Sequence, residues 1–176
     1  MEHALHLLFV CTGNICRSPL AERLATAYAV RAGCAGLIAS SAGTRAVVGH
    51  QMHRLAVAPL LRLGGDPSDF AARQLTPRIA QGADLILTMT TAHRDRVLEL
   101  APNKLRRTFT LVEAATLVSQ HDAQEISDLA ELRACVRVPS GLDVPDPIGR
   151  DAEYFEEIGS RIGALLPSIL QLCSPV

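Results

Sequence analysis

The sequence predicts an α/β fold: a parallel sheet of four strands with helical crossovers, in a single domain spanning 1–176. Three observations carry this. Four short apolar runs, at 5–10, 37–41, 85–87 and 108–112, alternate with longer stretches of helical spacing. The intervals between the runs are long enough for the crossover helices that parallel strands require. The first run also empties into a loop at Thr12-Gly13-Asn14, and ligands of open parallel sheets sit at the carboxyl ends of strands. A chain of 176 residues, 48% hydrophobic and 20% charged, suits one globular unit that buries about 70% of its unfolded surface.

The elements follow in order. Residues 5–10 read as a buried strand. The run is too short to span a bilayer, and with Glu2 and no early Lys or Arg it is a poor secretory signal. A helix is expected next, with Ser18 as N-cap, Pro19 in its first turn, and Leu20, Ala21, Leu24, Ala25, Tyr28 and Ala29 on one face, ending near Gly33. The second strand, 37–41, closes in Ala42-Gly43-Thr44. Residues 52–63 read as a helix stopped by Gly64-Gly65. The third strand lies within 83–89, followed by a helix over 92–100 that Pro102 stops. A fourth strand is expected at 108–112, one or two helices over 114–137, a loop rich in proline and glycine at 138–149, and a final helix over 151–172.

Composition excludes several classes. The 17 basic and 18 acidic residues leave a net charge of -1, which gives neither nucleic acid nor a membrane surface a basic footprint. With no Trp, four Phe and two Tyr, a base-stacking platform is not expected. The five cysteines, at 11, 16, 34, 135 and 173, are odd in number and lack zinc-site spacing, which fits a reducing cytosol. Cys34, Cys135 and Cys173 read as small buried hydrophobes. His50 and His53 can share a helix face but lack a third ligand, so no metal is expected. His3, His6, His93 and His121 form no constellation.

The chemistry concentrates in Cys11-Thr12-Gly13-Asn14-Ile15-Cys16-Arg17-Ser18. The segment runs from strand through loop to helix, so successive backbone N–H groups can turn inward and, with the helix N-terminus, form a nest for a tetrahedral dianion. Arg17 adds a planar fork for two of its oxygens. The same field favours Cys11 in the nucleophilic thiolate form. Gly13 is expected to supply a backbone angle that other residues resist.

This loop resembles that of the low-molecular-weight protein tyrosine phosphatases. The resemblance extends to Ser18-Pro19-Leu20-Ala21-Glu22, Ser41-Ala42-Gly43-Thr44, Ala72-Arg73-Gln74-Leu75 and Asp146-Pro147, in family order. It implies a four-stranded parallel sheet with helices on both faces and the phosphate-binding loop after the first strand. It implies a cysteine-dependent phosphatase, with a phosphotyrosine-containing protein as substrate, inorganic phosphate as product, and no cofactor; the cysteine usage predicts a cytoplasmic compartment. Cys11 would be the nucleophile and Arg17 the phosphate ligand, within a loop of Thr12, Gly13, Asn14, Ile15, Cys16 and Ser18. Ser18 would ease departure of the sulfur, Ser41 would support Asn14, Asp146 would be the general acid, and Cys16 would protect Cys11 from oxidation. Asp143, three residues before Asp146, is the competing acid.

The chain also departs from the family pattern. Ile148 and Ala46-Val47-Val48 stand where eukaryotic members place aromatic cleft walls, and Phe70 replaces a histidine that supports the loop in some members. The 114–139 segment reads as an added surface helix. No cysteine lies between 35 and 134, so the relay of arsenate reductases is absent. Ile15 stands where phosphoarginine phosphatases of the family carry Thr. A phosphoarginine phosphatase and an inactive phosphate-binding signalling module are the alternatives.

Overall fold

The computed structural model describes residues 4–34, 36–137 and 143–172. Four strands, β1 (Leu5–Cys11), β2 (Leu37–Gly43), β3 (Leu85–Thr88) and β4 (Thr108–Thr110), alternate with helices. The helices are α1 (Arg17–Ala32), α2 (Arg54–Arg62), α3 (Pro77–Gln81), α4 (Thr91–Leu100), α5 (Leu111–His121), α6 (Ile126–Cys135) and α7 (Ala152–Gln171). The sheet order is β2-β1-β3-β4 and every pairing is parallel.

The central strands are apolar on both faces because helices cover both. Alternation along β1 and β3 sends Leu7, Phe9, Leu85 and Leu87 into a core with residues of α1, α2, α5, α6 and α7. Leu8, Val10 and Ile86 pack the opposite way, with Ala80 of α3 and Val97 of α4. The chain leaves β1 for β2 on one side and later reaches β3 on the other. The carboxyl end of β1, where Cys11 sits, is therefore the topological switch point.

Several local expectations are corrected. Helix α1 begins at Arg17 with Cys16 in the N-cap position and no side-chain cap. The Ser18 hydroxyl is held elsewhere, by Cys11 and Asn14. Gly13 does not carry the positive φ of the loop; Asn14 does, at 56°, and Asn is among the few side chains that tolerate it. Glycine is instead demanded at Gly43, where an added Cβ would lie 2.4 Å from the Thr12 carbonyl oxygen. The fourth strand stops at Thr110 because Thr110 and Glu113 form a reciprocal capping box that starts α5. Helix α3 and the 3₁₀ turn Pro102–Arg107 went unpredicted, being too short for periodicity.

The stretch expected as one or two helices is two, parted at Asp122 by a left-handed residue (φ 59°), and it is not confined to the surface. Leu111, Ala114, Leu117, Ile126 and Leu129 enter the main core. Arg133 of α6 lies 3.7 Å over the Phe109 ring, pairs with Glu113 at 2.8 Å, and donates to the Thr108 and Leu105 carbonyls. Cys34 is half-buried and Cys135, the last residue of α6, is exposed, contrary to expectation. His53 is the N-cap of α2 and stacks on Phe155 at 5.0 Å, whereas His50 stands in the preceding loop, so the two share no helix face. His3, Cys173 and residues 138–142 of the expected loop lie outside the described residues.

Candidate active site

The loop after β1 is held from outside by its carbonyls. Those of Cys11, Thr12, Gly13 and Ile15 accept from the backbone N–H groups of Thr44, Arg45, Val47 and His53 at 2.7–3.0 Å. No backbone N–H of residues 13–18 donates to a protein acceptor among the described residues. With all those carbonyls turned outward, and α1 starting without a side-chain cap, the concave side of the loop is a set of unspent donors at a helix N-terminus. Such a set attracts an anion.

Asn14 is fully buried and fixes this shape. Its Oδ1 accepts from the Arg73 backbone N–H at 2.8 Å, which leaves both amide hydrogens for hydroxyls: Ser18 at 2.9 Å and Ser41 at 2.8 Å. Ser41 passes its own hydrogen to the Glu22 carboxylate. Ser18 Oγ, which accepts from Asn14, stands 2.9 Å from Cys11 Sγ, and its hydroxyl is the donor of that pair whenever the sulfur is a thiolate. Phe70 therefore needs no polar substitute, because Glu22 closes the network beneath Ser41. Burial raises the Glu22 pKa, while Ser41, Arg23 and Arg73 oppose that shift.

Arg17 is buried, donates from Nη1 to the Val144 carbonyl at 2.9 Å, and reaches Asp146 from Nη2 at 3.2 Å. Its buried Nε has no hydrogen-bond partner among the described residues. The two candidate acids separate clearly. Asp146 lies beside Arg17 and accepts from the Ile148 N–H at 3.1 Å. Asp143 instead accepts from the Thr91 N–H at 3.0 Å, at the start of α4. Val144 between them is pinned to the Met89 carbonyl at the end of β3.

Cys16 is buried in a small apolar pocket with Leu20, Ala56, Pro147, Phe155 and Ile158. Burial, reinforced by Cys11 and Asp146 against the opposing Arg17, pushes its thiol up to about 12. Val47, Val48 and Ile148 are exposed apolar side chains on the segments flanking the loop. The structure thus gathers Cys11, Asn14, Cys16, Arg17, Ser18, Ser41 and Asp146, with Thr12, Gly13 and Ile15 in the same loop.

Sequence reasoning missed His93. Its Nε2 stands 2.8 Å from Thr12 Oγ1, and a contact across 81 residues leaves no local signal. Arg73 and Glu22 were visible only as parts of motifs. Among the described residues, no group of three or more His, Cys, Asp or Glu is placed to hold a metal ion.

A buried arginine, a cysteine and an anion-ready loop at the switch point of a parallel sheet define a class of α/β proteins with an anion-binding loop beside a thiol. The chain belongs to the low molecular weight phosphotyrosine protein phosphatase family, whose pattern it matches over residues 6–131. That match ends before Asp143 and Asp146; the contact of Arg17 with Asp146 brings the acid loop to the site. The chain is 39% identical over 97 residues to the low molecular weight protein-tyrosine-phosphatase Wzb of Escherichia coli K12. That alignment covers 55% of this chain and 63% of Wzb, under two thirds of the relative's length. The fold resembles a low molecular weight protein tyrosine phosphatase from T. tengcongensis, with TM-score 0.74, 28% identity, and coverage of 95% of this chain and 98% of that one. It also resembles the YwlE arginine phosphatase from Geobacillus stearothermophilus, with TM-score 0.72, 27% identity, and coverage of 94% and 90%.

Proposed function

We propose that the protein is a cysteine-dependent phosphatase that hydrolyses phosphotyrosine on proteins through a phosphocysteine intermediate. In the first step Cys11 Sγ attacks phosphorus. The S–P bond forms as the P–O bond to tyrosine breaks, and Asp146 gives its proton to the leaving phenolate. In the second step the Asp146 carboxylate takes a proton from water, the water oxygen attacks phosphorus, and the S–P bond breaks to release inorganic phosphate. Ser18 supplies a hydrogen bond to the sulfur as it takes up negative charge. Arg17 and the loop N–H groups bind the phosphoryl oxygens and hold the transition-state charge, as preorganised donors do. Asn14 and Ser41 keep the loop in shape, and the electrostatics are supplied by the chain itself.

The observation that carries this reading is Arg17. It is buried, it links the loop to Asp146 at 3.2 Å, and it keeps one buried donor, Nε, without a partner among the described residues. An unsatisfied buried donor is costly, and a phosphoryl oxygen in the loop would satisfy it. Chain 1–176 acts as one unit in this proposal, in the cytoplasm, on a protein substrate rather than on nucleic acid. No helix among the described residues is long and apolar enough to cross a membrane.

The likeness to an arginine phosphatase supplies the second reading. Against it stands Ile15, a branched apolar side chain that suits an aromatic ring better than a guanidinium. Turnover of phosphotyrosine, phosphoserine and phosphoarginine peptides separates the readings. Phosphotyrosine should give the highest kcat/KM, and Cys11→Ser should abolish turnover. A higher value on phosphoarginine would overturn the specificity, and steady turnover by Cys11→Ser would overturn the mechanism.

A further inference from the structure

The imidazole of His93 is buried, at 7% exposure, in the first turn of α4. Its backbone N–H donates to the Thr90 cap, and Asp143 ties the neighbouring Thr91 N–H to the acid loop. The ring thus sits where β3, the acid loop and the phosphate-binding loop meet. Its Nε2 contacts Thr12 Oγ1 at 2.8 Å, and its Nδ1 is buried with no hydrogen-bond partner among the described residues. His93 is the side chain that the Thr12 hydroxyl contacts among the described residues.

The partnerless Nδ1 decides the tautomer. If Thr12 donated to Nε2, the ring proton would sit on Nδ1 as a buried N–H without an acceptor. Orphan donors are the rarer defect in folded proteins. With the proton on Nε2, the ring donates to Thr12 Oγ1 and leaves only a lone pair unmatched. The ring is also held neutral: burial, aided by the nearby Arg17, pushes it down to about 4, against the opposing pull of Asp146 and Asp143.

The direction of this hydrogen bond determines what Thr12 offers to a ligand. Thr12 follows Cys11 directly and is half-buried on the loop. Were its proton spent on His93, its oxygen would present lone pairs to a dianion and repel it. Because His93 occupies a lone pair, the Thr12 proton turns outward and is free to donate. We propose that His93 is a positioning residue that makes the Thr12 hydroxyl a hydrogen-bond donor to a phosphoryl oxygen held in the loop. This adds a side-chain donor to the backbone nest, and it rests on the phosphatase reading for the identity of the ligand.

The test measures the binding of inorganic phosphate by calorimetry alongside kcat and KM for an aryl phosphate. Thr12→Val keeps shape and removes the hydroxyl. It should weaken phosphate binding and raise KM by about 3- to 10-fold, the size of one hydrogen bond, with a smaller change in kcat. His93→Leu should do the same, whereas His93→Gln, whose amide can still donate, should recover part of the loss. In the double variant Thr12→Val/His93→Leu the loss should be no greater than in Thr12→Val, because both act through one contact. Should His93→Leu fail to fold, the conservative Thr12→Val still decides. Phosphate affinity within twofold of wild type in Thr12→Val, or fully additive losses in the double variant, would overturn the inference while wild-type turnover left the phosphatase reading intact. A wild-type protein that neither bound phosphate nor turned over the ester would bring down both.

Discussion

Arg17 Nη2 and Asp146 Oδ2 stand 3.2 Å apart, with the arginine 4% exposed and the aspartate 49% exposed. The pair sets a fixed cation against a carboxylate that water can reach, at the edge of the loop. A proton on that carboxylate can be both delivered and replaced, which is what a general acid needs. Asp146→Asn is therefore expected to slow aryl phosphate hydrolysis by ~10²–10⁴. The defect should shrink as the leaving-group pKa falls, because such groups depart without protonation. Asp143→Asn should leave that dependence on leaving group at its wild-type slope, since its carboxylate is spent on the Thr91 N–H. A leaving-group series measured on both variants checks this, and reversal of the two patterns would reassign the acid.

Asn14 governs the loop through three hydrogen bonds, to Ser18, Ser41 and the Arg73 backbone, from a left-handed backbone position. Asn14→Ala removes all three and places a β-carbon where the left-handed region is disfavoured. At about 1 kcal/mol for each bond and about 1 for the backbone, the expected loss is roughly 3–4 kcal/mol. For a chain of this size that lowers Tm by roughly 10 °C. The two serine hydroxyls would also lose the donor that orients them, so kcat should fall by more than the folded fraction does. Thermal melts paired with kcat on an aryl phosphate check both parts. Wild-type kcat in a folded Asn14→Ala protein would show that the network is structural only.

What was legible in the chain was contiguous. The eight residues from Cys11 to Ser18 carry their chemistry in one stretch, and strands covered on both faces announce themselves as apolar runs. Element ends were harder, because they are decided by which polar group finds a partner. Ser18 has the composition of an N-cap, yet its hydroxyl is spent on Cys11, and Thr110 ends a strand because Glu113 completes its capping box. The positive φ belongs to Asn14 and not Gly13, because its side chain is held by Ser18 within the loop and by Ser41 and Arg73 from distant segments. His93 gave no signal, since a single histidine in an ordinary helix becomes informative only when folding brings it to Thr12.

The same His93 makes stability depend on pH. Its folded pKa, about 4, lies below the usual histidine value of 6.5. Between those values the unfolded chain binds the extra proton, so stability falls as pH drops through the window from about 6.5 to about 4. The shift corresponds to a loss of about 3 kcal/mol at its full extent. Glu22 acts in the opposite sense. Its pKa is raised by burial, so it removes stability as pH rises past the ordinary carboxylate range. The diagnostic is thus the difference between wild type and His93→Gln. Wild type should lose more Tm than the variant between pH 7 and pH 4.5, and parallel Tm profiles would show that His93 does not carry the effect.

Cys16 bears on oxidation of the loop. Peroxide would convert the Cys11 thiol to a sulfenic acid. Cys16 can then attack that sulfur, expelling water as the S–S bond forms and returning Cys11 to a state that reductant recovers. The structure sets a condition on this step. Cys16 is 5% exposed and its thiol is pushed up to about 12, first by burial and then by Cys11 and Asp146. At neutral pH it is almost wholly protonated, and its attacking thiolate is scarce. Disulfide formation, followed by quenching after a limited peroxide pulse, should therefore quicken with pH, approaching about tenfold per unit between pH 6 and 8 while the thiolate fraction limits it. After peroxide and then a thiol reductant, wild type should regain most of its activity, and Cys16→Ser should accumulate irreversibly oxidised Cys11. A Cys11–Cys16 crosslinked peptide in the mass spectrum of oxidised wild type identifies the route. Equal recovery in the two proteins with no such peptide would leave Cys16 as packing beneath the loop, filling the pocket formed by Leu20, Ala56 and Phe155.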